Sequence, residues 1–190
     1  FHHSQGEPTA MLAAVDPRDG SPRWQCQVLK DYLCPSPILV GDRCFVLGFQ
    51  RGAAVRLAGQ GDVTDSHIAW TTNKGSEVCT PLYHEGQLYW AHQEGGIAYC
   101  LNAQTGRVVY EERIQPRPGR IYASGVLADG RIYYVSRESG TFVVAAAPQY
   151  RLLAHNVIES DNSVFNGTPA ISHRRVLVRS NRYLDCIRER

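Results

Sequence analysis

Thr80–Ile114, TPLYHEGQLYWAHQEGGIAYCLNAQTGRVVYEERI, is built from four short apolar runs divided by turn residues. Pro81-Leu-Tyr ends at Glu85-Gly86, and Leu88-Tyr-Trp-Ala ends at Gln93-Glu-Gly-Gly96. Ile97-Ala-Tyr-Cys-Leu is closed by Asn102-Ala-Gln-Thr-Gly106, and Val108-Val-Tyr runs out into Glu111-Glu-Arg113. Apolar runs this short, bounded by Gly, Asn and acidic residues, predict antiparallel strands rather than helices.

The same pattern recurs along the chain. The small residues that open each unit, Pro37, Pro81, Gly125 and Pro169, follow one another at a constant 44 residues (81 − 37, 125 − 81, 169 − 125). A turn pair comes four and five positions later: Gly41-Asp42, Glu85-Gly86, Asp129-Gly130 and His173-Arg174. Second strands follow as Cys44-Phe-Val-Leu, Leu88-Tyr-Trp-Ala, Ile132-Tyr-Tyr-Val and Val176-Leu-Val-Arg179. Gly52, Gly96 and Gly140 hold one further equivalent position, where the last unit breaks register. A fixed period in the forties with four short strands per unit predicts an all-β chain, a β-propeller of four-stranded antiparallel blades.

The expected organisation is one propeller segment over 1–190. It divides into a half-blade at 11–28, blades at 36–72, 80–114 and 123–158, and an incomplete blade at 165–188. Met11–Val15 and Arg23-Trp24 match the last two strands of the reference unit, so the first unit starts in mid-blade. Phe1–Glu7 carries no pattern and is expected to be a loose end or part of a truncated strand. Ala58–Asp65, between the third and fourth strands of the first whole blade, is a polar insertion expected to be an ordinary solvated loop. Gln115-Pro-Arg-Pro-Gly119 is a stiff connector in which prolines block helix and ladder alike, and Tyr122–Leu127 after it is expected to be the first strand of the next unit. About four blades are therefore present. They either close into a rare four-bladed ring or, as expected here, form part of a larger ring of seven or eight blades.

Composition narrows the function. The chain has 190 residues, 43% hydrophobic and 20% charged, with 17 glycines and 10 prolines, a turn-rich globular profile. A formal net charge of +2 gives no nucleic-acid footprint, and no window is long and apolar enough for a membrane-spanning helix. The opening Phe1-His-His-Ser, with neither Met nor an apolar signal core, is expected of a processed or excised piece. Cys26, Cys34, Cys44, Cys79, Cys100 and Cys186 contain no C-x-x-C pair, so clustered zinc ligation is not expected, and the even count leaves disulfides open. Cys100 and Cys186 occupy equivalent third-strand positions and are expected to be buried as small hydrophobes.

Ala14-Val-Asp16-Pro-Arg-Asp-Gly20-Ser-Pro-Arg-Trp24 resembles the tryptophan-docking motif A-x-D-x-x-x-G-x-x-x-W of quinoprotein-type propellers. Cys100-Leu-Asn102-Ala-Gln-Thr105-Gly106-Arg-Val-Val-Tyr110 is a second copy, with Asn for Asp and Tyr for Trp. From Met11 to Ile187 the chain is similar to the PQQ-binding-like propeller repeats. These include an outer-membrane assembly lipoprotein type and multi-blade secreted proteins of planctomycete-like bacteria. The resemblance implies a bacterial source and an extracytoplasmic location, periplasmic or secreted. In physical terms, Asp16 or Asn102 should accept bonds from its own turn, and Gly20 or Gly106 should supply a positive φ. Trp24, Trp70 or Tyr110 should then lay its ring over the neighbouring blade.

Catalysis has less to stand on. A PQQ-dependent dehydrogenase of this family holds its quinone with Ca²⁺, a catalytic Asp and usually an adjacent cysteine pair. No two cysteines are adjacent in this sequence, and no Asp matches the catalytic position. His84, His92 with Glu94 near it, His67, His155 and His173 are dispersed, which favours turn or surface roles over metal ligation. Asp62 and Asp65 lack the spacing of a calcium loop, and no nucleophile elbow, phosphate loop or H-E-x-x-H occurs. Asn166-Gly-Thr168 fits a glycosylation acceptor, a three-residue match of little weight. The expectation is a non-enzymatic module without catalytic, cofactor or metal residues that binds a protein or peptide partner. The alternative is a fragment of a quinoprotein dehydrogenase whose catalytic residues lie outside the chain.

Overall fold

In the computed structural model, which describes residues 10–188, the chain forms five consecutive sheets, antiparallel except for one two-residue pairing in the first. The first is a hairpin of β1 (Ala10–Val15) and β2 (Pro22–Leu29). The second pairs β3 (Ile38–Val40), β4 (Arg43–Leu47), β5 (Gly52–Arg56) and β7 (Ile68–Thr72). Between β5 and β7 lie β6 (Gly61–Asp62) and the four-residue helix α1 (Thr64–His67). The third runs through β8 (Leu82–His84), β9 (Gln87–Ala91), β10 (Ile97–Asn102) and β11 (Val108–Arg113). The fourth runs through β12 (Val126–Ala128), β13 (Arg131–Val135), β14 (Thr141–Ala145) and β15 (Leu152–Asn156). The fifth has three strands, β16 (Ala170–Ser172), β17 (Arg175–Arg179) and β18 (Leu184–Arg188). The loose end expected at Phe1–Glu7 lies outside the described residues, as do Glu189 and Arg190.

Turn chemistry sets this register. The first two strands of the second to fifth sheets are joined by two-residue loops, with Val40 opposite Arg43, His84 opposite Gln87, Ala128 opposite Arg131 and Ser172 opposite Arg175. In the last three loops both residues have positive φ: Glu85 and Gly86, Asp129 and Gly130, His173 and Arg174. That geometry matches the right-handed twist of the flanking strands. Each third–fourth strand pairing then carries a register shift, which bends the outer strand.

Packing runs from sheet to sheet. Side chains alternate across a strand, so a middle strand between two neighbours must be apolar on both faces. Cys44 and Val46 of β4 join Trp24, Cys26 and Val28 of the first hairpin. Phe45 and Leu47 of the same strand meet Leu88, Trp90 and Tyr99 of the third sheet. Tyr89, Ala91 and Cys100 face onward to Ile132, Tyr134, Phe142 and Val144 of the fourth. The last seam is small, with Ala123 and Val135 against Phe165 and Val178. Each seam is a core in its own right, as stacked repeats require.

Three expectations need correction. Ala58–Asp65 is not simply a solvated loop. β6 pairs in parallel with β2, Trp24 opposite Gly61 and Gln25 opposite Asp62, and Val63 is buried in the first seam. A polar loop so long and Gly-rich can double back and cover an outer strand edge that would otherwise be open. Second, Cys186 is exposed on β18, whereas Cys100 is fully buried, because no further sheet lies against β18 among the described residues. Third, Tyr122–Gly125 lies outside the strands, and the fourth sheet starts at Val126.

Candidate functional site

The motif residues lie at the end of the sheets that carries the first–second and third–fourth turns. Asn102 Oδ1 accepts from the Gln104 N–H at 3.1 Å, the Thr105 N–H at 2.9 Å and the Thr105 hydroxyl at 3.0 Å. Gly106, at φ +70°, closes that turn by donating to the Asn102 carbonyl at 2.8 Å. Trp70, on the last strand of the preceding sheet, lies on Gly106 and donates its Nε1–H to the Ala103 carbonyl at 3.0 Å. A Cβ added at Gly106 would sit 2.6 Å from the indole Cδ2, so the ring fits only against a bare backbone. Arg43, also on the second sheet, donates to the Gln104 carbonyl at 2.7 Å and ties the same turn a second time.

Asp16 and Gly20 build the equivalent turn of the first hairpin. Asp16 accepts from the Arg18 N–H at 2.9 Å and from the Arg18 and Arg23 guanidiniums. These bonds, Arg18's first, hold its carboxyl well below the usual carboxylate range. Gly20 has φ +74° and donates to the Asp16 carbonyl at 2.8 Å. Trp24 is buried, and the turn it faces on the next sheet is the 58–65 insertion, where it stands opposite Gly61. Tyr110 is buried with its ring 5.6 Å from Tyr150 in the turn between β14 and β15, edge to face. Its hydroxyl has no hydrogen-bond partner.

The opposite end holds a repeated construction that the motif reading missed. Positions 48, 92, 136 and 180 recur at the 44-residue period and begin the second–third loops. His92 Nδ1 accepts from the Glu94 and Gly95 N–H groups at 3.3 and 3.2 Å. Ser136 Oγ accepts from Glu138 and Ser139, and Ser180 Oγ from Arg182 and Tyr183. At Gly48 the side chain is missing. Asp31 reaches in instead, its Oδ2 accepting from Gln50 and Arg51 at 2.8 and 3.0 Å. A Cβ on Gly48 would lie 2.8 Å from that oxygen, so the carboxylate occupies the space of the absent side chain. Burial lowers the His92 pKa, which keeps Nδ1 free to accept. The spacing was present in the sequence, but Gly, His, Ser and Ser share no chemistry that would mark one role.

Connectors between sheets bind these loops on both sides. Ile121 donates to Gln93 of the sheet before, and Arg137 of the sheet after donates to Arg120. One period on, Phe165 donates to Arg137 and Asn181 to Val164. Neighbouring openings are joined as well: Ser36 N–H donates to Thr80 Oγ1 at 3.1 Å, and Thr80 N–H to Ser124 Oγ at 3.0 Å. The loops of this end are therefore held as one stitched surface.

Between β2 and β7 lies a cleft of about 590 Å³, lined by polar side chains that include Lys30, Arg51 and Thr64. No group of three or more metal-ligating side chains assembles among the described residues. All six cysteines are free, and burial pushes Cys44, Cys79 and Cys100 up to about 11, which leaves them protonated.

Stacked four-stranded sheets joined end to end by such turns define an all-β propeller of PQQ-like repeats. The family model described as outer membrane protein assembly factor BamB matches residues 5–188, and the chain belongs to that family. Comparison with curated proteins finds none that matches. Among solved structures, BamB from Moraxella catarrhalis matches 90% of this chain and 48% of its own at 13% identity, with a TM-score of 0.66. The computationally designed Ika4 protein matches 89% of this chain and 98% of its own at 10% identity and a TM-score of 0.68. The designed Ika8 protein matches 92% and 50% at 9% identity and a TM-score of 0.65. The chain thus spans about half the length of BamB and of Ika8. At these identities the likeness is one of fold.

Proposed function

We propose that this chain is a non-catalytic part of a larger PQQ-like propeller, of seven or eight blades, that serves as an extracytoplasmic scaffold for a protein or peptide partner. Its repeat units are the segments 36–72, 80–114 and 123–158, flanked by the partial units 11–28 and 165–188. The observation that carries the reading is the stitched loop surface. Its loops are capped by Asp31, His92, Ser136 and Ser180 and bonded to the connectors, so a partner meets a preorganised face and little ordering entropy is lost on binding. The docking residues Asp16, Gly20, Trp24, Trp70, Asn102, Gly106 and Tyr110 hold neighbouring blades in register so that this face stays continuous. Membership of a family described as an outer membrane protein assembly factor supports both the binding role and the location.

The test is site-specific photo-crosslinking. Probes at Glu94, Glu138 and Arg182 on the loop surface should capture a common partner protein, and probes at Gln104 and Asp129 at the other end should not. Equal capture from both ends would overturn the assignment of the face. Alcohol oxidation by the purified chain supplied with PQQ and Ca²⁺ would overturn the non-catalytic reading. It would restore the dehydrogenase-fragment alternative.

A further inference from the structure

The seam between the fourth and fifth sheets is under-filled at its loop end. Ile114, just past β11, is fully buried, whereas Ile158, one period later and just past β15, is half-buried. A pocket of about 30 Å³ opens there, walled by Val157, Ile158, Phe165 and Val178, with the exposed Glu138 at its rim. Asp161 lines it too and is itself only 8% exposed. The Asp161 Oδ1 accepts from the Ser163 N–H at 2.9 Å, while Oδ2 has no hydrogen-bond partner. The Ser163 hydroxyl next to it is unpartnered as well. The Ser180 hydroxyl foremost, with Ser163 and Arg182, holds the Asp161 carboxyl below the usual carboxylate range, yet none of them bonds to Oδ2. No basic side chain lines the pocket. An ionised acceptor so placed has hydrogen-bonding capacity that the chain itself does not meet.

We propose that this pocket takes the side-chain ammonium of a lysine on the protein partner. The inference rests on the scaffold reading and names the partner's chemistry at one point of the loop surface. An ammonium brings three N–H donors in one compact group, and the pocket has room for about one such group. Asp161 Oδ2 and the Ser163 hydroxyl are the unmet acceptors, and Glu138 adds a second negative charge at the mouth. Charge-assisted bonds of this kind are stronger than neutral ones, and partial burial strengthens them further. The methylene stem of the lysine would lie along Val157 and Ile158, as long cationic side chains do on apolar surface. A guanidinium is planar and wider, so the same space does not suit arginine. A divalent metal ion needs six or more oxygen ligands, and no group of three metal-ligating side chains assembles among the described residues.

The probe is a capped glycine–serine peptide with one central lysine, with norleucine and arginine counterparts, titrated into the whole chain and followed by backbone amide NMR. The expected result is saturable binding of the lysine peptide that shifts the Ser163 and Phe165 amides, at least tenfold tighter than either counterpart. Asp161→Asn keeps an oxygen for the Ser163 N–H, and so keeps the turn, but should weaken lysine binding at least tenfold. Equal binding of the lysine and norleucine peptides, or no saturable binding at tens of millimolar, would overturn the proposal. So would a Ca²⁺ titration that shifts the same amides and is abolished by Asp161→Asn, which would give the pocket to a metal ion. Photo-capture of a partner at Glu94 and Arg182 with undiminished yield in Asp161→Asn would overturn the lysine anchor while leaving the scaffold reading intact. Lysine binding in the pocket without any capture at those loops would do the reverse.

Discussion

The seam between the third and fourth sheets and the seam between the fourth and fifth are made by equivalent strands, yet they differ greatly. The first encloses Tyr89, Cys100, Tyr110, Ile114, Ile121, Ile132, Tyr134, Phe142 and Val144. The second gathers Ala123, Val135, Phe165 and Val178. One cause is visible one period beyond Tyr110, where the chain has Ala154 in place of an aromatic ring. Another is that β18 leaves Leu184 and Ile187 exposed, at 67% and 44%, with no fourth strand beside it among the described residues. Stacked repeats take their stability from neighbour interfaces, so blade strength should follow seam size rather than turn quality.

Matched phenylalanines test that claim at its largest. Phe142→Ala, fully buried in the large seam and stacked on His155 at 4.2 Å, should cost about 3–5 kcal/mol. Phe165→Ala, in a small cluster able to collapse, should cost no more than about half as much. Amide exchange separates local from global opening: β17 should open at lower free energy than β13, and Phe165→Ala should affect β17 and β18 alone. Equal losses at the two sites would break the comparison. Trp24→Ala belongs with the large class, at about 3–5 kcal/mol, since the ring is 6% exposed and packs beneath the insertion. An unchanged denaturation midpoint would remove Trp24 from the docking set.

Much of this was legible in the sequence, and the reason is periodicity. A turn pair such as Asp129-Gly130 has one favoured conformation, so its recurrence after each opener placed the hairpins and with them the all-β fold. The 58–65 insertion was not legible. Its Gly, Gln, Asp and Thr fit a solvated loop, and Val63 alone hinted that part of it is buried. Nor was Asp31. Its function depends on the Gly48 side chain being absent one strand away, a relation between positions distant in sequence. Cys186 misled because equivalence within the repeat predicts the fold of a position, whereas its burial depends on whether another sheet follows.

Two glycines sharpen the meaning of docking. Gly20 and Gly106 both sit in the left-handed region, at φ +74° and +70°, in equivalent turns. Nothing lies within 4 Å of a Cβ at Gly20, whereas at Gly106 the Trp70 ring does. Gly20→Ala should therefore cost only the backbone strain, about 1–2 kcal/mol, and Gly106→Ala about 1–3 kcal/mol more as the indole is displaced. Tryptophan fluorescence should shift with the second and not with the first. Identical losses would mean that Trp70 contributes nothing at that turn.

Among the loop caps, His92 differs from Ser136 and Ser180 in being able to titrate. Its folded pKa is depressed, chiefly by burial, and protonation would remove the lone pair that accepts from Glu94 and Gly95. For a histidine depressed on folding, the unfolded chain binds the proton more readily. The contribution is present above the unfolded value of about 6.5 and is lost as pH falls below it. His92→Ser should keep the cap and flatten the stability slope below pH ~6.5. A slope the same as in the parent chain would assign the pH dependence elsewhere.

The smallest effect concerns the turns themselves. His173 and Arg174 hold φ values of +49° and +59° without a glycine, whereas the equivalent Asp129-Gly130 places Gly at the second position. A left-handed non-glycine residue costs about 1–2 kcal/mol, and the extra freedom of glycine in the unfolded chain returns about 0.5–1 kcal/mol of that. Arg174→Gly should therefore stabilise the last blade by about 0.5–1 kcal/mol, less what Arg174's own contact contributes. Gly130→Arg should cost the fourth blade about as much. If seam size governs, neither change reverses the order in which β17 and β13 open to exchange. If the order does reverse, turn strain rather than the missing aromatic at Ala154 is what weakens the last blade.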